Sequence, residues 1–280
     1  MKGGLAMRSK KSRLLFLLML FFGITNYTDQ ALAQEPFTLT SWGRFFAGVD
    51  LGYQWISGDF VIPAGGQPGS GGRIYIGPDL GVDQTESISI LGDGQILDNH
   101  FVNIEYFMCL ATGLKRIQRE LMFHNRLYPE DSLVDTRIDM NWLRMTYAFK
   151  FLDIESWAIC PSFGLHYVRC GVSLNGETEK GLNTSNTRRL DAIYPTVGIQ
   201  ARYPAPYGLD FRLEWEGMHL ITMGLISSFR LSTNFEIYPD VRFDFGFTHR
   251  MVSSVENNQT LNNEWFYNLT GVAGGVSFGF

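Results

Sequence analysis

Hydrophobic and polar residues alternate along most of the chain beyond residue 41, and a period of two predicts β-strands. Segment 208–219 is the cleanest case, because Phe211, Leu213 and Trp215 share one parity while charged residues occupy the other. Successive side chains of an extended strand point to opposite faces, so each such segment has one apolar and one polar face. Segments with a helical period are almost absent. The pattern therefore predicts an all-β protein.

Ten segments of this kind follow one another along the chain. They cover 42–55, about 100–112, 115–125, about 135–151, 157–167, about 188–203, 208–219, about 223–237, 241–252 and about 264–280. Arg119 interrupts the third segment, and the eighth is the least regular. A mean hydropathy of −0.04 fits strands whose apolar and polar faces cancel.

The links between the segments alternate in length. Long polar links lie near 56–99, 126–134, 172–187 and 253–263, and short links lie near 113, 152–155, 204–207 and 238–240. The link near 217–222 is intermediate. Long loops at one end and tight turns at the other are typical of antiparallel outer-membrane barrels, and an even strand number puts both termini on the short-turn, periplasmic side.

Residues 1–33 have the organisation of a secretory signal peptide. Five cations precede an apolar run from Leu14 to Ile24, and Ala-Leu-Ala at 31–33 provides a cleavage site. The run is too short to cross about 30 Å of hydrocarbon as a helix. Removal of this segment, which holds five cations and one acid, changes the net charge from −5 to −9 and argues against a nucleic-acid partner.

These features together predict the architecture. No later run of 18 or more apolar residues occurs, so a mature chain in a membrane would not cross it as helices. We predict a transmembrane antiparallel up-and-down β-barrel of about ten strands, with eight to twelve possible, formed by residues 34–280.

The chain ends in GVAGGVSFGF, in which Val276, Phe278 and Phe280 share one parity and small residues fill most of the other. With the signal peptide, this last strand resembles those of bacterial outer-membrane β-barrel proteins, whose final strand ends in an aromatic residue with apolar residues at alternate positions. The resemblance implies that these three residues form an assembly signal for the barrel-assembly machinery. It also implies outer-membrane lipid and lipopolysaccharide as surroundings.

Two internal stretches carry a second resemblance. GRIYIGPDLGVD at 72–83 and VDTRIDMNWLRMTYAFKF at 134–151 are similar to the DLGxD-type and LRxxYxF-type segments of an uncharacterised group of Gram-negative barrel proteins. That group implies a fold and names no substrate.

Charges of both signs lie in the middle of the polar faces, and we predict that they line the barrel lumen. They are Arg44, Asp50, Glu105, Arg116, Glu120, Arg144, Asp210, Arg212, Glu214, Glu216, Arg242, Asp244 and Arg250. Side chains can about fill a barrel of eight to ten strands, and buried charges need partners. The lumen is therefore predicted to be packed and polar, with a narrow charge-lined pore as the alternative.

Aromatic residues near the strand ends predict two girdles at the membrane interfaces. The short-turn girdle comprises Trp42, Phe151, Trp157, Tyr203, Tyr207 and Tyr238. The long-loop girdle comprises Trp55, Trp142, Trp215 and Trp265.

The three cysteines provide neither a disulfide framework nor a metal motif. Cys160 and Cys170 lie ten residues apart in one predicted strand, too far to bond within it, and an odd number leaves at least one thiol free. Cys109 has no Cys or His at a metal-ligand spacing. We expect no metal and no cofactor.

The longest link, 56–99, opens with turn-forming residues at 63–72 and then contains two apolar stretches. It is predicted to be an extracellular loop, with a hairpin, a plug or two further barrel strands as open alternatives. Loops of this length are seldom without function, so we expect any specific surface activity here and in 172–187.

The sequence favours a non-enzymatic barrel of the cell outer membrane with a structural or surface-interaction role and an unknown surface ligand. A narrow channel for small solutes and an outer-membrane hydrolase are the alternatives. Carboxylate–histidine pairs can activate water, as Asp and His residues do above the membrane in ten-stranded omptin proteases. This chain offers Asp93, Asp98 and His100 in the long link and Glu216 with His219 at a loop edge, but in no matching motif.

Overall fold

The structure is a computed structural model that describes most of the chain beyond residue 44. The described ranges are 45–62, 72–97, 99–154, 156–177, 183–220, 224–258 and 261–280, with residues 177, 183–184, 256–258 and 261–262 described by their backbone alone. The predicted signal peptide, Trp42, Arg44 and Asp98 lie outside these ranges.

Within the described ranges, ten long strands close an antiparallel barrel. They are β1 (Phe45–Val61), β3 (Gln84–Leu97), β4 (His100–Arg116), β7 (Leu133–Phe149), β9 (Trp157–Glu177), β10 (Asn183–Ala205), β11 (Leu209–Leu220), β12 (Gly224–Tyr238), β13 (Val241–Asn258) and β14 (Leu261–Gly279). Each pairs with the next of these strands along the chain, and β14 pairs with β1. The predicted fold class is confirmed.

Shorter elements occupy the links. They are β2 (Ile74–Tyr75), α1 (Ile76–Leu80), β5 (Leu121–Phe123), β6 (Arg126–Tyr128), β8 (Leu152–Ile154) and a 3-10 turn at Pro206–Gly208. No helix among the described residues has the length and apolar character needed to cross a membrane.

The first and last strands close the barrel through a long antiparallel register. Ala47 pairs with Phe278 and Val49 with Val276. The amide of Phe280 donates to the carbonyl oxygen of Phe45 at 3.0 Å. This contact places the C-terminus beside the start of β1, at the short-turn end of the barrel.

Two strand assignments made from the sequence are wrong. One wall strand is missed and one is wrongly included, so the predicted number of strands is still ten. Residues 84–97 form β3 of the wall, although the sequence places them in the loop 56–99. Residues 115–125 do not form a wall strand, because β4 ends at Arg116 and the chain turns into the β5–β6 hairpin. The alternation in 115–125 has another cause, since Ile117, Leu121 and Phe123 are buried over the barrel mouth.

Segments 72–83 and 117–132, named here the mouth cap, cover the long-loop end of the barrel. Ile74, Ile76, Leu80 and Phe123 are among its fully buried residues. They join a hydrophobic core that continues down the inside of the wall. The plug alternative for the long link therefore fits residues 72–83. The alternative of two further barrel strands is met in part only, because residues 84–97 add one wall strand.

Two predicted links are largely strand. β9 and β10 continue through all but residues 178–182 of the predicted link 172–187, and β13 and β14 continue through most of 253–263. The apolar pattern stops before the ladder does, because the outward residues of these strand ends are polar: Ser173 and Asn175 on β9 are examples.

Large apolar side chains cover the outside of the wall. Leu51, Phe163 and Phe245 are each more than half exposed, as expected for a surface that meets lipid. The predicted short-turn aromatics Phe151, Trp157, Tyr203, Tyr207 and Tyr238 lie on this outer surface or at its short turns.

The long-loop girdle prediction is half wrong. Trp55 and Trp215 face outward, but Trp142 and Trp265 point into the lumen and are about 1% exposed. Both tryptophans share the parity of the inward residues of their strands, and parity decides the face. Position near a strand end is a weaker guide than parity.

Candidate functional site in the barrel lumen

The lower and middle lumen contains one continuous network of ion pairs, named here the lumen network. It joins seven carboxylates to six guanidinium groups: Asp50, Asp93, Glu105, Asp210, Glu214, Glu216 and Asp244 with Arg144, Arg202, Arg212, Arg230, Arg242 and Arg250. All project from inward positions of eight wall strands. The near balance of charge lets each group find a partner without bulk water.

Arg144 lies at the centre of the network. Its Nη2 donates to Oε2 of Glu214 at 2.8 Å, and its guanidinium is 3.6 Å from Glu105 and 3.9 Å from Glu216. These carboxylates come from β4 and β11, which do not neighbour each other in the wall. Arg144 of β7 therefore connects its neighbour β4 with β11, which lies across the lumen.

Two more arginines complete the middle layer. Arg250 of β13 pairs with Oε1 of Glu105. Arg230 of β12 donates to Asp50 at 2.9 Å and lies 3.8 Å from Glu105. Asp50 belongs to β1, so the layer extends across the seam at which the barrel closes.

A histidine–carboxylate pair is built into the same layer. Nε2 of His166 lies 2.7 Å from Oε2 of Glu216, and the indole N–H of Trp142 donates to His166 Nδ1 at 3.1 Å. Because Nδ1 accepts from Trp142, the proton of the neutral ring is on Nε2 and is donated to Glu216. Thr146 donates to the second oxygen of Glu216 at 2.8 Å. His166 and Glu216 are fully buried, so water has no direct access to the pair.

The short-turn end of the lumen is organised around Asp93. This carboxylate lies 2.9 Å from Arg212, 3.3 Å from Arg242 and 3.6 Å from Arg202. Two of the arginines also stack on aromatic rings, with Arg202 4.2 Å from the ring centre of Phe101 and Arg242 4.3 Å from that of Phe46. Asp210 and Asp244 complete the cluster through Arg212 and Arg242.

Above the network the lumen becomes apolar. Fully buried aromatic side chains fill it, among them Phe60, Phe107, Trp142, Trp265 and Tyr267. Trp265 packs at ring distances of 5.9 Å from Phe60 and 6.1 Å from Tyr267. The mouth cap continues this layer, so an apolar layer lies over a charged one along the barrel axis.

Most residues predicted to line the lumen lie there. Asp50, Glu105, Arg144, Asp210, Arg212, Glu214, Glu216, Arg242, Asp244 and Arg250 all belong to the network.

Two predicted lumen residues do not lie there. Arg116 ends β4 on the outward parity and donates to the Asp131 carbonyl at 2.5 Å, and Glu120 is exposed in the link that follows. Both errors follow from reading 115–125 as a wall strand.

Sequence reasoning missed four members of this lumen chemistry. Asp93 was hidden by the loop assignment of 84–97, and Arg230 by the irregular pattern of its segment. Arg202 and His166 lie on the inward parity of β10 and β9. For these last two, parity within the strand was a sufficient signal.

The residues considered for hydrolysis do not form a common site. Asp93 is bound by three arginines at the short-turn end of the lumen, where His100 instead contacts the Tyr147 hydroxyl at 2.5 Å. Glu216 contacts His166 and not His219, which is exposed at the other end of the barrel.

The three thiols are buried and free. Cys109 and Cys170 each lie beside Met140 in the ladder, so they are separated by two strand spacings, about 10 Å. That separation is too large for a disulfide, whose Cα atoms are at most about 7 Å apart.

The last strand has the two faces expected from its parity. Val276, Phe278 and Phe280 lie on the outward parity, while Gly275 is pressed against β1. A Cβ atom on Gly275 would lie 2.2 Å from an oxygen of Asp50, so glycine makes room for this carboxylate.

No family model matches the sequence, and no curated protein is similar to it at a significant level. Solved structures of outer-membrane proteins do align with this chain. The outer membrane protease OmpT from Escherichia coli aligns with a TM-score of 0.53 at 9% identity, over 90% of this chain and 99% of that one. The translocator domain of autotransporter NalP from Neisseria meningitidis aligns with a TM-score of 0.44 at 10% identity, over 96% and 97%. Neisserial surface protein A (NspA) aligns with a TM-score of 0.34 at 11% identity, over 84% and 97%.

At such identities the similarity shows the fold alone. This chain has the fold of bacterial outer-membrane β-barrel proteins, and the fold indicates the outer membrane as its location.

Proposed function

We propose that this protein is a non-enzymatic outer-membrane barrel with a closed lumen, and that its surface role resides in the extracellular segments. The observation that carries the proposal is the lumen itself. Ion pairs fill its lower and middle parts, and an apolar layer lies above them. An ion crossing this barrel would have to separate the ion pairs and then enter the apolar layer, and both steps are unfavourable.

The mouth cap is the surface that this role would use. Its buried side chains hold it to the wall, while Tyr75, Pro78, Arg119 and Arg126 are exposed. Arg119 pairs with Asp79 and accordingly joins the two segments of the cap. Such a braced surface can present a fixed pattern of groups to a partner outside the cell.

Assembly partners follow from the last strand. Outward Val276, Phe278 and Phe280 would be read by the barrel-assembly machinery during insertion, and lipopolysaccharide would surround the outer half of the wall. Neither metal nor cofactor is required by this proposal.

Planar-bilayer recording tests the closed lumen. Protein whose folded state is verified by a heat-dependent shift in gel mobility is expected to give no current steps. Reproducible single-channel steps from that preparation would overturn the proposal in favour of the channel. Arg144→Ala, which removes the central cation of the network, provides a sensitised comparison in the same assay.

A further inference from the structure

Three exposed arginines lie on three neighbouring strands of the outer wall. They are Arg137 of β7, Arg169 of β9 and Arg189 of β10, and all three occupy outward positions. The ladder brings them together, because Arg137 is opposite Ser173 and Arg189 is opposite Gly171 on β9. Strand spacing and rise place Arg189 about 8 Å from Arg169 and about 12 Å from Arg137, and they place Arg137 about 14 Å from Arg169. We name this surface the arginine patch.

The patch begins where the lipid-facing surface ends. On β9 the outward residues Phe163, Leu165 and Tyr167 precede Arg169, which lies two residues, about 7 Å, beyond Tyr167. On β10 the outward residue Ile193 is the first apolar one below the patch. The patch is on the long-loop side, which is the extracellular side of an outer-membrane barrel. It therefore lies at the level of the headgroups of the outer leaflet.

The guanidinium groups of the patch have free donors. Arg169 donates through Nε to Asp191 at 2.6 Å, and Tyr167 donates to the same carboxylate oxygen at 2.7 Å, so this arginine is held in place on the outer surface. Arg137 and Arg189 form no hydrogen bond or ion pair with any residue that the structure describes.

Carboxylates are interspersed in the patch. Asp139 and Arg189 are both opposite Gly171 of β9, one on each side of that strand. Asp191 pairs with Arg169, and Asp135 lies one outward position above Arg137. The outer leaflet is a sheet of lipid phosphates bridged by divalent cations. Arginines match the phosphates, and carboxylates match the bridging cations.

Strand arginines are distributed on one side of the barrel. Elsewhere on the outward positions of the ten described wall strands, arginine occurs only at Arg116, whose guanidinium donates to the Asp131 carbonyl. β1, β3 and β14 instead carry Asp59, Glu86 and Glu264 at outward positions in their long-loop halves. A general need for solubility does not explain this asymmetry.

We propose that the arginine patch binds the phosphate groups of lipopolysaccharide that lies against β7, β9 and β10. Guanidinium groups bind phosphate through paired, charge-assisted hydrogen bonds, and exposed arginines on a rigid wall are arranged for this without a conformational change. The proposal rests on the outer-membrane location and is independent of whether the lumen conducts.

The test measures binding of purified rough-type lipopolysaccharide to the folded barrel in a zwitterionic detergent. The patch variant is Arg137→Gln/Arg169→Gln/Arg189→Gln. The matched control, Arg73→Gln/Arg116→Gln/Arg126→Gln, removes three extracellular-side arginines outside the patch. We expect the patch variant to weaken binding by about tenfold or more and the control by less than about twofold. Chemically dephosphorylated lipopolysaccharide is expected to bind the unmodified protein as weakly as the intact lipid binds the patch variant.

Equal affinity of the unmodified protein and the patch variant would overturn the proposal, as would equal affinity for intact and dephosphorylated lipid. If the triple variant loses its heat-dependent gel shift, Arg137→Gln/Arg189→Gln tests the same idea while leaving the Arg169–Asp191 pair in place. Current steps in a bilayer would contradict the closed lumen and leave this result unchanged, so failures of the two proposals are distinguishable.

Discussion

Arg144 and Glu214 meet in the middle of the barrel, with Nη2 2.8 Å from Oε2 and both side chains at most 5% exposed. Arg144 belongs to β7 and Glu214 to β11, which are not neighbours in the wall. No backbone ladder joins these two strands directly, so the ion pair is a connection across the lumen.

Arg144→Ala should destabilise the folded barrel strongly. It leaves Glu105, Glu214 and Glu216 without a shared cation, and removing one partner of a buried ion pair costs about 3–5 kcal/mol. Equilibrium unfolding in guanidinium chloride, followed by tryptophan fluorescence in lipid, measures the change. Lys150→Gln is the control, because its partner Asp153 is 63% exposed and a surface pair contributes about 0–1 kcal/mol. Similar losses in the two variants would contradict a structural role for the network.

Gly275→Ala should impair closure of the barrel, whereas Gly274→Ala should be tolerated. A Cβ on Gly275 would lie 2.1 Å from the Val49 carbonyl oxygen and 2.2 Å from the Asp50 side chain, distances that require the backbone to move. On Gly274 the nearest atoms, in Asp244 and Phe245, are 3.4 and 3.5 Å away. The fraction of each protein that shows a heat-dependent gel shift after refolding measures closure, and equal fractions would count against this account.

Parity predicted the lumen well because it depends only on the alternation within a strand. Asp50, Glu105 and Glu214 lie on unbroken segments, and all three are inside. Their partners could not be predicted, because Arg144 and Glu214 meet through barrel closure and not through any sequence spacing. The register of ten strands decides which charges face each other.

Alternation gave a wrong prediction where apolar residues are buried by something other than the barrel wall. Ile117, Leu121 and Phe123 have a strand-like spacing because they cover the mouth. The opposite error concerns 84–97, a wall strand that the sequence places in a loop. Its inward residues include the small polar Ser87 and Ser89, while isoleucines occupy the outward positions beside them. A pattern of hydrophobicity reports burial or lipid contact, but it does not say which neighbour provides either.

The hairpin of the mouth cap should loosen as the pH falls, because of His124. Burial and the cations Arg188 and Arg126 lower the pKa of this histidine below its ordinary value, and its Nδ1 accepts a hydrogen bond from Arg188. The neutral ring is thus favoured in the folded state. The neutral ring stabilises the folded hairpin in full above the pKa of His124 in the unfolded chain, about 6.5. This stabilisation is lost as the pH falls through the lower pKa of the folded state.

Amide hydrogen exchange of residues 121–128 at pH 7.5 and pH 5, corrected for intrinsic rates, measures this effect. We expect lower protection at pH 5. His124→Asn is the matched variant, since asparagine tolerates the positive φ of 47° at this position and offers an acceptor that does not titrate. Protection in this variant should not depend on pH, and an unchanged pH dependence would assign the effect to another group.

Deletion of Phe280 should reduce assembly in cells more than it reduces the stability of protein already folded in detergent. The ring is 79% exposed and stacks on Phe45 at 6.3 Å, so the deletion removes this exterior contact and the backbone hydrogen bonds between Phe280 and Phe45, but none of the lumen packing. An assembly signal, in contrast, would be needed in full before the barrel closes. Outer-membrane levels of the deletion variant and of Phe280→Tyr, which retains an aromatic ring, are compared with their unfolding midpoints in detergent. Parallel losses in membrane level and midpoint would show that Phe280 contributes to stability alone.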